Sequence, residues 1–134
     1  DDLQSWRSIY PEDVFENQFA KLCEKWQQGL ALLNQELGSP EDNPCELNVM
    51  AHSAGSLYQS CLNQIRFYRA RAQQNTTAMI DAAKAEILCA ENMLAMMRLN
   101  PAIGFEATNH YYFSKGQLRE KILNCHHIID YLQR

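Results

Sequence analysis

Apolar residues recur every three or four positions along almost the whole of this chain. The rhythm fails over more than a few residues only once, across residues 98–113 (RLNPAIGFEATNHYYF). A three-and-four spacing places side chains on one face of an α-helix and cannot line one face of a strand, where the period is two. It is read most directly in Phe15, Phe19, Leu22, Trp26, Leu30, Leu33 and Leu37, in Leu47, Met50, Ala54, Leu57, Cys61, Ile65, Tyr68 and Ala72, and in Met79, Ala83, Ile87, Ala90, Leu94 and Met97. Leu118, Ile122, Cys125, Ile129 and Leu132 form a fourth stripe. The expected fold is therefore all-α: an antiparallel up-down bundle of four main helices, with one long ordered loop before the last helix.

The punctuation agrees with the stripes. Residues 1–10 form a lead-in with a short helical turn around Leu3, Trp6 and Ile9. Pro11, Glu12 and Asp13 suit the first turn of a helix, where a missing N–H costs nothing and carboxylates meet the positive end of the dipole. Gly38-Ser39-Pro40 ends that helix. Asn43-Pro44-Cys45-Glu46 reads as an N-cap at Asn43 with Pro at the first helical position. Residues 73–77 (QQNTT) form a weaker break in which Asn75, Thr76 or Thr77 caps the third helix. Asn100-Pro101 stops that helix, because the residue before proline is pushed out of the α region. Ser114 and Gln117 fit a capping box, with Phe113 and Leu118 placed to staple across it. On the second helix the predicted polar face is His52, Ser56, Gln59, Asn63 and Arg66. An extended piece at residues 111–113 is the only rival to helix.

A chain of 134 residues suits a single domain with a real core, and 46% hydrophobic with 21% charged residues excludes a disordered tail. The whole of 1–134 is read as one helical-bundle domain, a fragment cut from a larger protein because DDLQSWRS lacks an initiator Met and runs straight into helix. A net charge of −4 argues against a general nucleic-acid binder, which needs a basic surface. No apolar run approaches the ~20 residues of a membrane span. The five cysteines are odd in number and dispersed, and four fall on or beside apolar stripes, where a reduced thiol serves as a small hydrophobe.

Familiar chemistries are missing. There is no Glu-x-x-His for a di-metal carboxylate bundle, and adjacent His126 and His127 point about 100° apart on a helix, so no metal site or cofactor is expected. No nucleophile elbow or phosphate loop occurs. Residues 98–113 instead gather polar groups beside aromatic rings. Arg98, Glu106, Asn109, His110, Tyr111 and Tyr112 are the candidates for contact with a ligand or another domain. Amides, imidazole and flat rings suit a sugar, whose hydroxyls and C–H face they can both engage; the competing reading is a connector whose polar groups satisfy its own turns. Arg66, Tyr68 and Arg69, within the basic and aromatic end of the second helix, are candidates for contact with a protein partner, since Arg and aromatics dominate such contacts. A solvated helix end is the alternative there.

The run NPAIGFEATNHYYFSKGQLREKILNC (residues 100–125), together with WRSIYPEDVFENQFAKLCEKWQQGL (residues 6–30), resembles the C-terminal helical region of large bacterial glycoside-hydrolase-like proteins. Those are multidomain proteins of glycan-foraging bacteria in which a barrel enzyme precedes a helical domain. Gly104-Phe105-Glu106 and Asn109-His110-Tyr111 carry much of the likeness. The resemblance implies a non-catalytic accessory domain, periplasmic or secreted with its parent, whose partner is the catalytic domain of the same chain and whose second contact is a glycan. The catalytic acids would then lie outside these residues, with the parent a glycoside hydrolase. An independent helical protein–protein interaction module is the alternative, and a small enzyme built on Glu106 and His110 the third.

Overall fold

The computed structural model describes residues 3–104 and 113–134. Five helices follow one another: α1 (Leu3–Arg7), α2 (Glu12–Leu37), α3 (Glu46–Ala72), α4 (Thr76–Leu99) and α5 (Lys115–Leu132). The described residues contain no strand. The four long helices pack in sequence order, α2 on α3, α3 on α4 and α4 on α5. Each pair runs antiparallel: Asn34 meets His52 while Glu16 meets Arg66 and Arg69; Val49 clusters with Met96 and Met97 while Ser60 meets Glu86; and Leu118 clusters with Met96 and Met97 while Ile129 clusters with Ala83. The fold is thus the expected all-α helical bundle. No described helix is long and apolar enough to cross a membrane.

The boundaries fall close to the sequence signals, with two shifts. Pro11 is the N-cap of α2 rather than its first residue, with extended ψ of 146°. Cys45, not Asn43, caps α3. Asn43 is held instead in the preceding turn, its N–H donating to the Ser39 carbonyl at 2.9 Å and its carbonyl accepting from Asn48 Nδ2 at 3.0 Å. Asn75 caps α4 by accepting from the Ala78 N–H at 3.1 Å. The capping box of α5 is complete, Ser114 N–H donating to Gln117 Oε1 at 2.6 Å and Gln117 N–H to Ser114 Oγ at 3.2 Å.

α4 is the central helix. It buries Met79, Ala82, Ala83, Glu86, Ile87, Cys89, Ala90, Met93, Met96 and Met97. Unbranched Met side chains fill irregular gaps, which suits a helix packed on two sides. Two apolar clusters form along it. Val49, Ala90, Met93, Met96, Met97, Ile103 and Leu118 make one; Ala83, Ile87, Cys125 and Ile129 make the other. At the chain's start Trp6 of α1 packs on Phe15 and Phe19, ring centroids 5.4 and 5.8 Å away, while Ile9 stays exposed.

α3 departs from the expected orientation. Leu47, Met50 and Leu57 of its predicted stripe are 63%, 51% and 46% exposed, and buried Asn48, Val49, Ser53 and Asn63 face inward instead. The cause is position. A helix between α2 and α4 must bury two flanks, so small or hydrogen-bonded residues settle against its neighbours. Ser53 Oγ bonds the Val49 carbonyl at 2.8 Å, and Asn48 donates to the carbonyls of Gly38 and Asn43. The stripe is recovered only further along, where Ile65 is fully buried. Leu22 of α2 is likewise exposed, and Cys23 takes the inward place beside it.

Gly55 lets α2 and α3 approach. A Cβ there would lie 2.9 Å from Trp26 Cδ1 and 3.1 Å from Leu30 Cδ1. Trp26 cannot easily yield, because its Nε1–H donates to the Ala51 carbonyl at 2.9 Å and its ring meets Tyr58 edge-on at 5.0 Å. Gly29, also helical, has nothing within 4 Å of such a Cβ. Gly29→Ala is expected to stabilise the protein by ~0.5–1 kcal/mol through helix propensity alone. Gly55→Ala gains the same propensity but overpacks, at a cost of ~1–3 kcal/mol, and is expected to come out about 1 kcal/mol less stable. Urea denaturation of the two variants checks the difference in sign.

Candidate functional site

The break in the helical rhythm is pinned at both edges. Asn100 ends α4 in extended backbone, its Oδ1 accepting from the Ala102 N–H at 3.0 Å. Ile103 is buried in the larger apolar cluster. Gly104 adopts φ +93°, a region L side chains rarely enter, and a Cβ there would lie 2.6 Å from the Phe113 carbonyl oxygen. The Phe113 N–H donates to the Gly104 carbonyl at 2.9 Å. Gly104 and Phe113 thus lie side by side as a narrow neck, with Phe113 packed against the cluster that holds Met93 and Leu118. Glu106, Asn109, His110, Tyr111 and Tyr112 lie outside the described residues, as do most of the predicted extended piece and the interior of the predicted loop. Arg98 stands exposed in the last turn of α4, where a cation suits the helix dipole.

Below the neck, between the two apolar clusters, lies a polar cross-link. Glu86 of α4 is only 6% exposed. Its Oε1 accepts from Ser60 Oγ at 2.5 Å and pairs with the Lys121 ammonium; its Oε2 accepts from Asn63 Nδ2 at 3.1 Å. Lys121 also reaches Ser60 Oγ at 3.2 Å, and Gln59 Nε2 donates to Asn63 Oδ1 at 3.0 Å. Donors from α3 and α5 therefore converge on one carboxylate of α4. A charge this deep is stable only when paired and hydrogen-bonded, as here.

Four thiols surround the cross-link or lie near it. Asn63 Nδ2 contacts Cys89 Sγ at 3.4 Å. Burial, and after it the negative charge of Glu86, pushes the Cys89 thiol from 9.0 up to about 11. Cys61 and Cys125 are raised by the same two causes in the same order, Lys121 opposing. Cys23 is raised by burial, with Arg66 opposing. These are structural hydrophobes rather than nucleophiles.

The predicted partner-contact residues are placed as follows. Arg66 Nε donates to Glu16 Oε1 at 3.2 Å, Arg69 Nη1 pairs with Glu16 Oε2, and Arg69 Nε lies 3.8 Å from Glu12 Oε2. Both arginines thus tie α3 to the start of α2. Tyr68 meets Phe67 edge-on at 6.0 Å, with the Arg71 guanidinium 5.8 Å from its ring. A cavity of about 460 Å³ opens among Glu16, Arg66, Arg69 and Gln73. A separate polar cleft of about 330 Å³, between α2, α3 and α4, holds Asn34, Gln59 and Asn92. His52 bonds Asn34 there at 2.9 Å, and burial lowers its pKa below the usual imidazole value, partly offset by Glu41. Among the described residues no three His, Cys, Asp or Glu groups come together as metal ligands. Arg98 is not brought near Arg66 or Arg69, which sit at the other end of α3's antiparallel partnership with α4.

Sequence reasoning missed Glu86 and Lys121. A signal existed, since Glu86 is the lone acid among Ala82, Ala83, Ile87, Ala90 and Met93, and Lys121 falls between Leu118 and Cys125 at helical spacing. A comparison of the chain with protein-family models, curated proteins and solved structures finds no match.

Three outcomes are expected. Lys121→Met alone leaves the Glu86 carboxylate buried without its cation and should cost ~2–3 kcal/mol, discounted from the usual value because Lys121 is partly exposed; Glu86→Gln with Lys121→Met should restore most of that in urea denaturation. At pH 8 a thiol reagent should modify exposed Cys45 at once and buried Cys23, Cys89 and Cys125 only on unfolding. Because the folded Cys89 pKa is raised, its contribution to stability is full below pH 9.0 and is lost as pH climbs towards about 11.

Proposed function

We propose that this chain is a non-catalytic helical accessory domain of a carbohydrate-active, glycoside-hydrolase-like protein, and that it docks against the catalytic domain of its parent chain through the outward face of α3. The observation that carries the docking is the turned face of that helix. Leu47, Met50 and Leu57 form an amphipathic stripe left unburied while polar side chains are buried in its place. Exposed apolar side chains spaced along one helix face suit an interaction surface. Support for the carbohydrate setting is the sequence resemblance carried by residues 6–30 and 100–125. In this reading the connector at residues 98–113 borders the parent's cleft, where its Asn, His and Tyr groups meet a glycan. The same stripe also suits a separate partner chain, which would make the domain an independent interaction module.

The test has two arms. Sequencing the gene on both sides of this stretch should find a barrel-sized region in the same reading frame; an initiator Met directly before Asp1 would sink the accessory-domain reading. Where that region exists, it and this domain are expressed as separate polypeptides and their affinity measured. Leu47→Asp with Met50→Asp should weaken association by roughly 100-fold, since each buried apolar side chain contributes ~1.5–3 kcal/mol. Both positions are exposed, so stability should stay within ~0.5 kcal/mol of the parent. Undiminished association would remove α3 as the docking face.

A further inference from the structure

The Glu86–Lys121 cross-link divides the space between α3 and α5 above α4 into two cavities, and it lines both. The one towards Ile128 is about 200 Å³. The other, beneath the Gly104–Phe113 neck, is about 260 Å³. Its walls are mainly apolar, with Leu57, Ala90, Met93, Phe113 and Leu118. Its polar groups are concentrated where Ser60, Glu86 and Lys121 bond one another. An apolar cavity with a few convergent polar groups is the usual form of a small-molecule site.

The hydrogen-bond inventory and the exposure of the pair together set the polarity of the ligand. Both Glu86 oxygens already accept from protein donors, Oε1 from Ser60 and Lys121 and Oε2 from Asn63. An ammonium has three protons, and the acceptors given to Lys121 among the described residues are two, Glu86 and Ser60. One ammonium proton of Lys121 is therefore spare, as is one lone pair on Glu86 Oε2, and exposure decides which of the two a ligand can reach. The Lys121 side chain is 38% exposed and that of Glu86 8%, so the cation is the accessible pole of the pair. We infer that the cavity beneath the neck binds a small organic carboxylate with an apolar body, its carboxylate on Lys121 and its body against Met93, Leu118 and Phe113. The volume equals roughly nine liquid waters at ~30 Å³ each, which suits a ligand of about that many non-hydrogen atoms. Of the α3 stripe only Leu57 lines the cavity, while Leu47 and Met50 do not, so the docking test at Leu47 and Met50 and the test of this site fail independently.

Sodium hexanoate is a suitable probe, titrated into the full ¹⁵N-labelled chain and followed by NMR. Saturable shifts are expected at Ala90, Met93, Phe113, Gln117, Leu118 and Lys121, with a dissociation constant in the millimolar range that a ligand of this size supports. Hexan-1-ol and hexylamine should bind about 10-fold more weakly or worse, because neither offers a charged acceptor to Lys121. The Glu86→Gln, Lys121→Met double variant should lose the preference for the carboxylate; its shift dispersion shows in the same spectra that it is folded. Shifts that stay linear in concentration, or scatter over the surface, would overturn the site. Equal binding of alcohol, amine and carboxylate would overturn the ligand class, and the unmodified protein alone decides both points.

Discussion

One buried carboxylate sets the relation between three of the four long helices. Glu86 stands in the middle of the most buried helix, between two apolar clusters, and takes donors from α3 on one side and α5 on the other. Apolar packing is non-directional, so it holds helices together without fixing their slide or rotation. A carboxylate that must be matched by Ser60, Asn63 and Lys121 is directional. Sliding α5 by one turn would strand the charge in a cavity of low polarity, at a cost of several kcal/mol. The pair need not add net stability to have this effect. It penalises the alternatives.

The same requirement explains why α3 turns a polar flank inward. Ser60 and Asn63 must face α4 to meet Glu86, and Gly55 must face α2 to admit Trp26. With both flanks committed, the stripe beginning at Leu47 and Met50 has no inner side left to occupy. The exposed apolar stripe and the internal polar cross-link are thus two results of one rotation of one helix. The neck at Gly104 and Phe113 closes the arrangement at the end where α4 and α5 meet, and it roofs the cavity that Lys121 enters.

Much of this architecture was legible from spacing and punctuation. Four stripes gave four long helices, and Asn75 and the Ser114–Gln117 box cap where expected. The site was less legible. Glu86 is separated from Ser60 and Lys121 by 26 and 35 positions, and no local pattern pairs residues at such distances. Arg66 and Arg69 read as an open basic patch because their partners, Glu12 and Glu16, are some 50 residues away.

The sequence by itself therefore determined, to within a few residues, where helices begin and end, that they must pack as a bundle, and that the helix before Asn100-Pro101 stops there. Those properties depend on local backbone preference and on a period of 3.6, both written within a few residues of each other. Only the tertiary structure decided which stripe of α3 is covered, which charges are paired, and where a cavity remains. Burial and pairing are relations between helices, and a side chain acquires them from its neighbours in space rather than from its neighbours in the chain.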